Sequence, residues 1–344
     1  MAFNFKSKNI NPKHILISRT DKIGDVILTL PLAGVLNKAF PTVKISFLGN
    51  SYTKNIVENS NYIKKFYDWD QMKENPVENL RSIQADVIIH VYPNRKIARA
   101  AKQAGIPLRI GTSHRIFHWW TCNKLVNLGR RNSPLHEAQL NLKLLAPLNR
   151  ETDFSLHQIP DHYGWKKEPV KKFDQYLQKE KFNLILHTKS RGSAREWPLK
   201  NFLELAQSLS GNSVNILISG TKEEGKMIAS DCPEIFALPQ VQDITGKLSL
   251  EEFIELIKQS DGLVACSTGP LHIAAASGIH TLGLYPPIKP MHPGRWAPLG
   301  AKASYIVKQI ECNDCGKTGN CKCLNNISVN AVKEEIDNWI SASD

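Results

Sequence analysis

Four loops of the chain gather hydroxyls, glycine and charge in ways that suit phosphate chemistry or proton transfer. In Cys266-Ser267-Thr268-Gly269-Pro270-Leu271-His272 an apolar run gives way to an alanine-rich helical one, and Pro270 falls in its first turn. Proline is welcome there because that N–H is unpaired in any helix. The free amides of the turn, with the Ser267 and Thr268 hydroxyls, predict an anion site for a diphosphate. His272 lies on the same turn, either donating to the ligand or serving as a structural polar group. The loop from His187 to Pro198 carries Lys189, Arg191 and Arg195 and reads as a nucleotide-facing loop or a solvated basic one. Ser219-Gly220-Thr221-Lys222-Glu223-Glu224 puts two acids where a first helical turn favours them. Near the other end, Arg19-Thr20-Asp21-Lys22-Ile23-Gly24-Asp25 follows the first apolar run. Gly24 permits a tight turn or a close ligand approach, and Asp25 reads by itself as a helix cap or first-turn acid. Neither a Walker loop nor a GxGxxG fingerprint is present, which weighs against a Rossmann oxidoreductase.

All four loops follow strands. Ile15–Ser18, Lys44–Leu48 and Asp86–Val91 are predicted strands. Asp25–Phe40 is a predicted helix kinked at Pro31, and Ile97–Gln103 one that Gly105 ends. After a polar passage from Glu151 to Pro169 the alternation restarts. Asn183–His187, Val214–Ser219 and Gly262–Cys266 read as strands, with Leu199–Leu209, Leu250–Lys258 and Val329–Ile340 as helices. Strand–helix alternation in two blocks implies an α/β protein of two doubly wound, Rossmann-like domains, 1–160 and 161–344, with a linker near 150–180. Ligands of open parallel sheets bind beyond the carboxyl ends of the strands. Two such domains facing a central cleft would place the chemistry there. No period of 20–50 residues repeats, so a solenoid is excluded.

The charge is uneven. Of the 344 residues, the first 150 hold 23 Lys/Arg against 9 Asp/Glu, a balance of +14, while the remainder hold 21 against 23, a balance of −2. A basic first half predicts anionic partners: nucleic acid, phospholipid headgroups or a phosphorylated substrate. Aromatics stand beside charge in His114-Arg115-Ile116-Phe117-His118-Trp119-Trp120, a combination suited to an anionic leaflet. MAFNFKSKNINPKH has no apolar h-region, and the uncharged stretch Gly262 to Ile288 is broken by polar residues, so neither a signal peptide nor a membrane span is predicted. A cytoplasmic protein, peripheral on a membrane, is the expectation. Cys312, Cys315, Cys321 and Cys323 crowd near the C-terminus and are compatible with a structural zinc knot or with free thiols.

The string from His14 to Gly49 resembles the opening of glycosyltransferase family 9, the ADP-heptose:lipopolysaccharide heptosyltransferases. Ile23-Gly24-Asp25-Val26, an apolar helix with Pro31, the Phe40-Pro41 turn and the strand Lys44–Leu48 stand in the family's order. Three later segments are similar as well. Arg195-Glu196-Trp197-Pro198 corresponds to Lys-x-Trp-Pro, Ser219–Glu224 to a Gly-x-x-Glu loop, and Ser267–His272 to Asp-Thr-Gly-x-x-His. Arg295-Trp296-Ala297-Pro298 matches the family's closing Arg-Trp-x-Pro. The resemblance implies a GT-B fold and an inverting transfer of heptose from an ADP-sugar to the lipid-anchored inner core of lipopolysaccharide. Asp25 becomes the catalytic base on the acceptor hydroxyl, with a pKa raised by desolvation. Arg195, Glu223 (or its neighbour Glu224, on the ribose), Ser267, Thr268, Gly269 and His272 become donor-binding residues. Arg95, Arg115, Arg130 and Arg131 become candidates for acceptor anions, and no cofactor is required for catalysis. Arg195 for Lys keeps the charge with a forked geometry, and Ser267 for Asp removes one. Another nucleotide-hexose donor therefore stays open, as does a non-enzymatic nucleic-acid binder with a zinc module.

Overall fold

The apolar runs at the start of each half become the centres of two parallel sheets in a computed structural model, which describes residues 11–190, 192, 194–211, 213–289, 291–308 and 322–342. The chain divides into two compact units, Met1–Gly164 and Trp165–Asp344. In the first, β1 (His14–Ser18), β2 (Lys44–Gly49), β3 (Lys65–Asp68), β4 (Val87–His90), β5 (Leu108–Thr112) and β6 (Lys124–Val126) form one sheet in the order β3-β2-β1-β4-β5-β6. In the second, β7 (Phe182–His187), β8 (Val214–Ser219), β9 (Val241–Asp243), β10 (Gly262–Cys266), β11 (His280–Tyr285) and β12 (Ala303–Val307) take the order β12-β11-β10-β7-β8-β9. Every pairing is parallel. Each sheet thus reverses direction once, between β1 and β4 and between β7 and β10. Such a reversal opens a crevice at the carboxyl edge of the strands. This is the doubly wound, Rossmann-like order in both halves.

The central strands are legible because they are buried on both faces. HILIS of β1 and FNLILH of β7 are buried at every position, as a sheet covered by helices on two sides demands. The outer strands KFYD (β3), KLV (β6) and VQD (β9) are short and half-buried, so they carry charge and escape pattern reading.

One expectation is corrected. Asp25–Phe40 is not a single kinked helix but two, α1 (Ile23–Ile27) and α2 (Pro31–Ala39). Pro31 has no N–H to donate and occupies the first position of a new helix, where none is needed. At Gly34 a methyl group would stand 2.2 Å from the carbonyl oxygen of His162, so α2 can pack on that turn only without a side chain. Further along lie α3 (Arg95–Gln103), α4 (His118–Thr121) and α5 (Glu137–Leu142). The second unit adds α6 (Leu199–Ser208), α7 (Lys222–Asp231), α8 (Leu250–Gln259), α9 (Gly269–Ser277) and α10 (Val329–Ser341). Helix α9 stops at Gly278, whose φ of 83° is left-handed backbone that glycine adopts without a Cβ clash. Leu184, Leu186, Ile216, Ile218, Val264, Phe202, Val332, Ile336 and Trp339 make one apolar cluster in this unit.

Candidate active site

In the first unit the chain leaves β1 at Ser18 and enters α1 through Lys22, putting Asp25 in the first helical turn. Lys22 makes no side-chain cap, and Asp25 caps nothing. Its carboxylate accepts a hydrogen bond from Nη2 of Arg19. Arg19 is 3% exposed, and all five of its N–H groups are used. Nε and Nη2 hold Asp21 at 2.8 and 3.1 Å, and Nη1 holds Glu137 at 2.9 Å and Asn141 at 3.1 Å. Helix α5 supplies Glu137 and Asn141, and the Asn141 amide donates to the Leu28 carbonyl at 3.0 Å, bracing the break between α1 and α2. Arg130 reaches the same Glu137 carboxylate, and it also donates to Asn141 at 3.0 Å and to the Val91 carbonyl at 3.1 Å.

Two cations and three carboxylates therefore share one largely buried network, with a formal excess of one negative charge. Burial raises the Asp25 pKa to about 6; the Arg19 guanidinium opposes that rise, while Asp21 and Glu137 add to it. Burial works against a charged Arg19, yet Asp21, Glu137 and Asp25 outweigh it and hold the guanidinium protonated. Asp25 is left as a carboxylate able to accept a proton near neutral pH, oriented by a fork that cannot give one up.

The crevice between β1 and β4 holds further polar groups. Ser18 and His90 are register partners at the strand ends. Both are buried, and among the described residues neither the Ser18 hydroxyl nor either ring nitrogen of His90 has a hydrogen-bond partner. The ring of His118 lies 5.6 Å away and is anchored through Nδ1 to the Thr112 carbonyl at 3.0 Å. Burial lowers the His90 pKa to about 3, with His118 and Arg109 adding to the fall, so the ring is neutral.

The four acceptor candidates divide by their surroundings. Arg95, Arg115 and Arg131 are exposed, whereas Arg130 belongs to the Asp25 network. Sequence reading assigned no role to Arg19, Glu137, Asn141 or His90. One signal was available: Glu137 is the only acidic residue between 87 and 150. A lone acid in so basic a stretch invites a buried partner.

In the second unit the loops after β7, β8 and β10 lie at three adjacent strand ends. Thr268 precedes α9 without capping it, and its hydroxyl is buried and unpartnered among the described residues. The Thr188 hydroxyl, just beyond β7, is buried and unpartnered in the same way. These two threonines flank the β7/β10 reversal, as Ser18 and His90 flank that of the first sheet. Gly269 opens α9, and His272 in its first turn is buried. Ser267 hydrogen-bonds to the Tyr285 phenol, which donates to the Trp296 carbonyl at 2.5 Å. Trp296 thus serves through its backbone, tying the closing loop to the β10 end.

The loop after β7 is pinned by Trp197, whose amide donates to Cys266 Sγ at 3.3 Å and whose indole donates to the Ile327 carbonyl at 3.1 Å. Its ring is 1% exposed, so the Trp-Pro pair anchors the loop that presents Arg195. Arg195 lines a cavity of about 590 Å³ with Lys189, Ser190, Lys200 and Asp231. Lys189 is itself buried, and its ammonium lies 3.6 Å from Glu196 and 3.8 Å from Asp231. Thr268, Gly269 and His272 are not among the described residues lining that cavity. After β8, Glu224 is buried and committed to a capping box, its carboxylate accepting the Thr221 amide at 2.7 Å, whereas Glu223 is exposed. His187 shares a 3.0 Å hydrogen bond with Ser219, and burial lowers its pKa to about 4.

Of the four clustered cysteines, Cys312, Cys315 and Cys321 lie outside the described residues; Cys323 is buried in the apolar cluster of the second unit. No helix among the described residues is long and apolar enough to cross a membrane.

The family model of glycosyltransferase family 9 (heptosyltransferase) matches residues 76–324, most of the chain. The chain belongs to glycosyltransferase family 9. This family member is an enzyme of the transferase class, which sets aside the non-enzymatic nucleic-acid binder. A Haemophilus influenzae protein provisionally named a glycosyltransferase is 25% identical over 346 residues, spanning 95% of this chain and 96% of its own. In solved structures the fold recurs in a family 9 glycosyl transferase from Veillonella parvula, at a TM-score of 0.77 and 20% identity, covering 97% of this chain and 99% of that one. It recurs also in the E. coli ADP-heptose LPS heptosyltransferase II, at 0.75 and 20%, covering 96% and 99%. These likenesses agree with the two Rossmann-like domains of a GT-B fold.

Proposed function

We propose that this glycosyltransferase moves a heptose from an ADP-sugar to a hydroxyl of a lipopolysaccharide inner core, with inversion at the anomeric carbon. The observation that carries the reading is Asp25: a carboxylate held by a buried arginine, with a pKa of about 6, in the Ile-Gly-Asp-Val segment that opens the first domain. Asp25 would take the acceptor hydroxyl's proton as that oxygen bonds to C1 and the bond from C1 to the diphosphate breaks. The departing ADP gains negative charge. The amides that open α9, the Thr268 hydroxyl and Arg195 are groups of the right sign to meet it. With that charge supplied, no divalent metal is needed for catalysis. Glu223, exposed in the first turn of α7, would meet the ribose, while Glu224 serves the capping box of that helix. In this reading the first domain takes the acceptor and the second the donor, and Arg95, Arg115 and Arg131 are available to acceptor phosphates. A lipid-anchored acceptor would bring the enzyme to the inner face of the inner membrane. A structural zinc on Cys312, Cys315, Cys321 and Cys323 stays part of the proposal, without a catalytic role.

A second reading, transfer from another nucleotide-hexose, is favoured by one observation: Ser267 stands where the resemblance places an acid, and its hydroxyl is bonded to Tyr285. Thermal stabilisation against ADP-, GDP- and UDP-sugars separates the two. Asp25→Ala tests the base assignment. Transfer should be lost while ADP-sugar binding stays near wild type, and an equal loss of binding would overturn the assignment.

A further inference from the structure

We propose that the face formed by α3 and the connection from β5 to α4 seats the protein on an anionic phospholipid surface. The proposal rests on the reading that the acceptor is lipid-anchored and says which surface meets the lipid.

Helix α3 buries Ile97, Ala98, Ala100 and Ala101 and exposes Arg95, Lys96, Arg99 and Lys102. None of the four cations pairs with a carboxylate among the described residues. Arg95 and Lys96 stand in the first turn, where the helix dipole repels positive charge and where no acid is present. Two cations in an unfavourable position, with no ion-pair partner among the described residues, do not serve the stability of the helix. Their charge is available to a partner.

Beside this stripe lies an apolar projection. Lys102 Nζ donates to the Trp120 carbonyl at 2.8 Å, which fixes α4 against α3. Ile116, Trp119 and Trp120 are 75%, 63% and 59% exposed, while His118 between them is turned wholly inward. The Trp119 indole N–H is already satisfied by the Ser113 carbonyl at 2.9 Å, so the ring offers hydrocarbon to the outside. Scattered exposed apolar residues are ordinary, but three large ones within five positions, bordered by unpaired cations, mark a contact surface. Indoles settle at the headgroup level of a bilayer, and basic side chains beside them reach the lipid phosphates. A second copy of this chain would bring the same cations into opposition, so charge complementarity favours lipid over self-association.

The test uses the full-length protein and sedimentation with two vesicle types, phosphatidylethanolamine with phosphatidylglycerol and pure phosphatidylcholine. Wild type should bind the anionic vesicles, more weakly as salt rises, and bind phosphatidylcholine far less. Trp119→Ser/Trp120→Ser should weaken anionic-vesicle binding by about tenfold or more. Lys96→Glu/Arg99→Glu should cost at least about fivefold per residue; an acid at 96 suits the first turn and position 99 is exposed, so the variant should fold. Equal vesicle binding by wild type and both variants overturns the proposal. So does a dimer, seen by analytical ultracentrifugation, that the tryptophan variant splits. RNA binding lost only in the charge variant, with no vesicle binding by wild type, overturns it too. Transfer to a delipidated acceptor in solution should be unchanged in Trp119→Ser/Trp120→Ser. If wild type fails that transfer yet binds vesicles as expected, the functional reading falls and the lipid surface stands.

Discussion

Replacing Asp25 with Asn should make the protein more stable and inactive. Asn keeps the shape of Asp and leaves an oxygen for Arg19, but it removes a negative charge that burial, Asp21 and Glu137 all disfavour. Raising a carboxyl pKa from 3.8 to about 6 separates its two protonation states by about 3 kcal/mol. The sign follows from proton binding. Between these two values the native state holds a proton that the unfolded chain has released, so wild type is favoured at low pH and loses that advantage as pH rises through about 6. Asp25→Asn does not titrate. It should exceed wild type by up to about 3 kcal/mol above that pH, with the gap closing as pH falls toward the unfolded value. Urea unfolding of both proteins across the pH range measures the gap. A less stable Asn variant at alkaline pH, or a gap that ignores pH, would refute the account of Asp25 as a destabilised base. The same protonation predicts an acid limb in kcat/KM, with transfer falling as pH drops below about 6.

Glu137→Gln should cost about 3 kcal/mol or more of stability, because Arg19 and Arg130 lose the carboxylate they share in a buried site. It should also move the acid limb of the rate profile to lower pH, since Glu137 helps to raise the Asp25 pKa; an unmoved limb in a folded variant would contradict the network. Thr268→Val removes a buried hydroxyl with no partner among the described residues. Stability measured by urea unfolding should hold or rise by about 1 kcal/mol, while calorimetric affinity for ADP falls several-fold. Gly34→Ala should destabilise by more than about 2 kcal/mol, read from the urea midpoint, because its methyl meets backbone at His162 that cannot step aside.

Much of the architecture was legible because a doubly wound sheet writes itself in its centre. β1, β7, β8 and β10 are covered on both faces, so every position is buried and apolar residues dominate, and the polar loops that follow must face the carboxyl edge. That logic located the Arg19–Asp25 and Ser267–His272 loops, and the family motifs named the same residues. Only the folded chain decided their company. Arg19 and Glu137 are 118 positions apart, and no periodicity links a loop after β1 to a helix after β6. Their pairing comes from sheet order, and with it the burial that raises the Asp25 pKa and the surrounding charges that adjust it. Short outer strands such as KLV and VQD are half-buried and owe their existence to a neighbouring strand. Pro31 alone is consistent with a kink or with a new start; in the folded chain one helix ends at Ile27 and the next begins at Pro31, with the Asn141 amide on the Leu28 carbonyl between them. Residue type specifies what a side chain can do; burial and partners, which exist only in three dimensions, determine whether it does so near neutral pH.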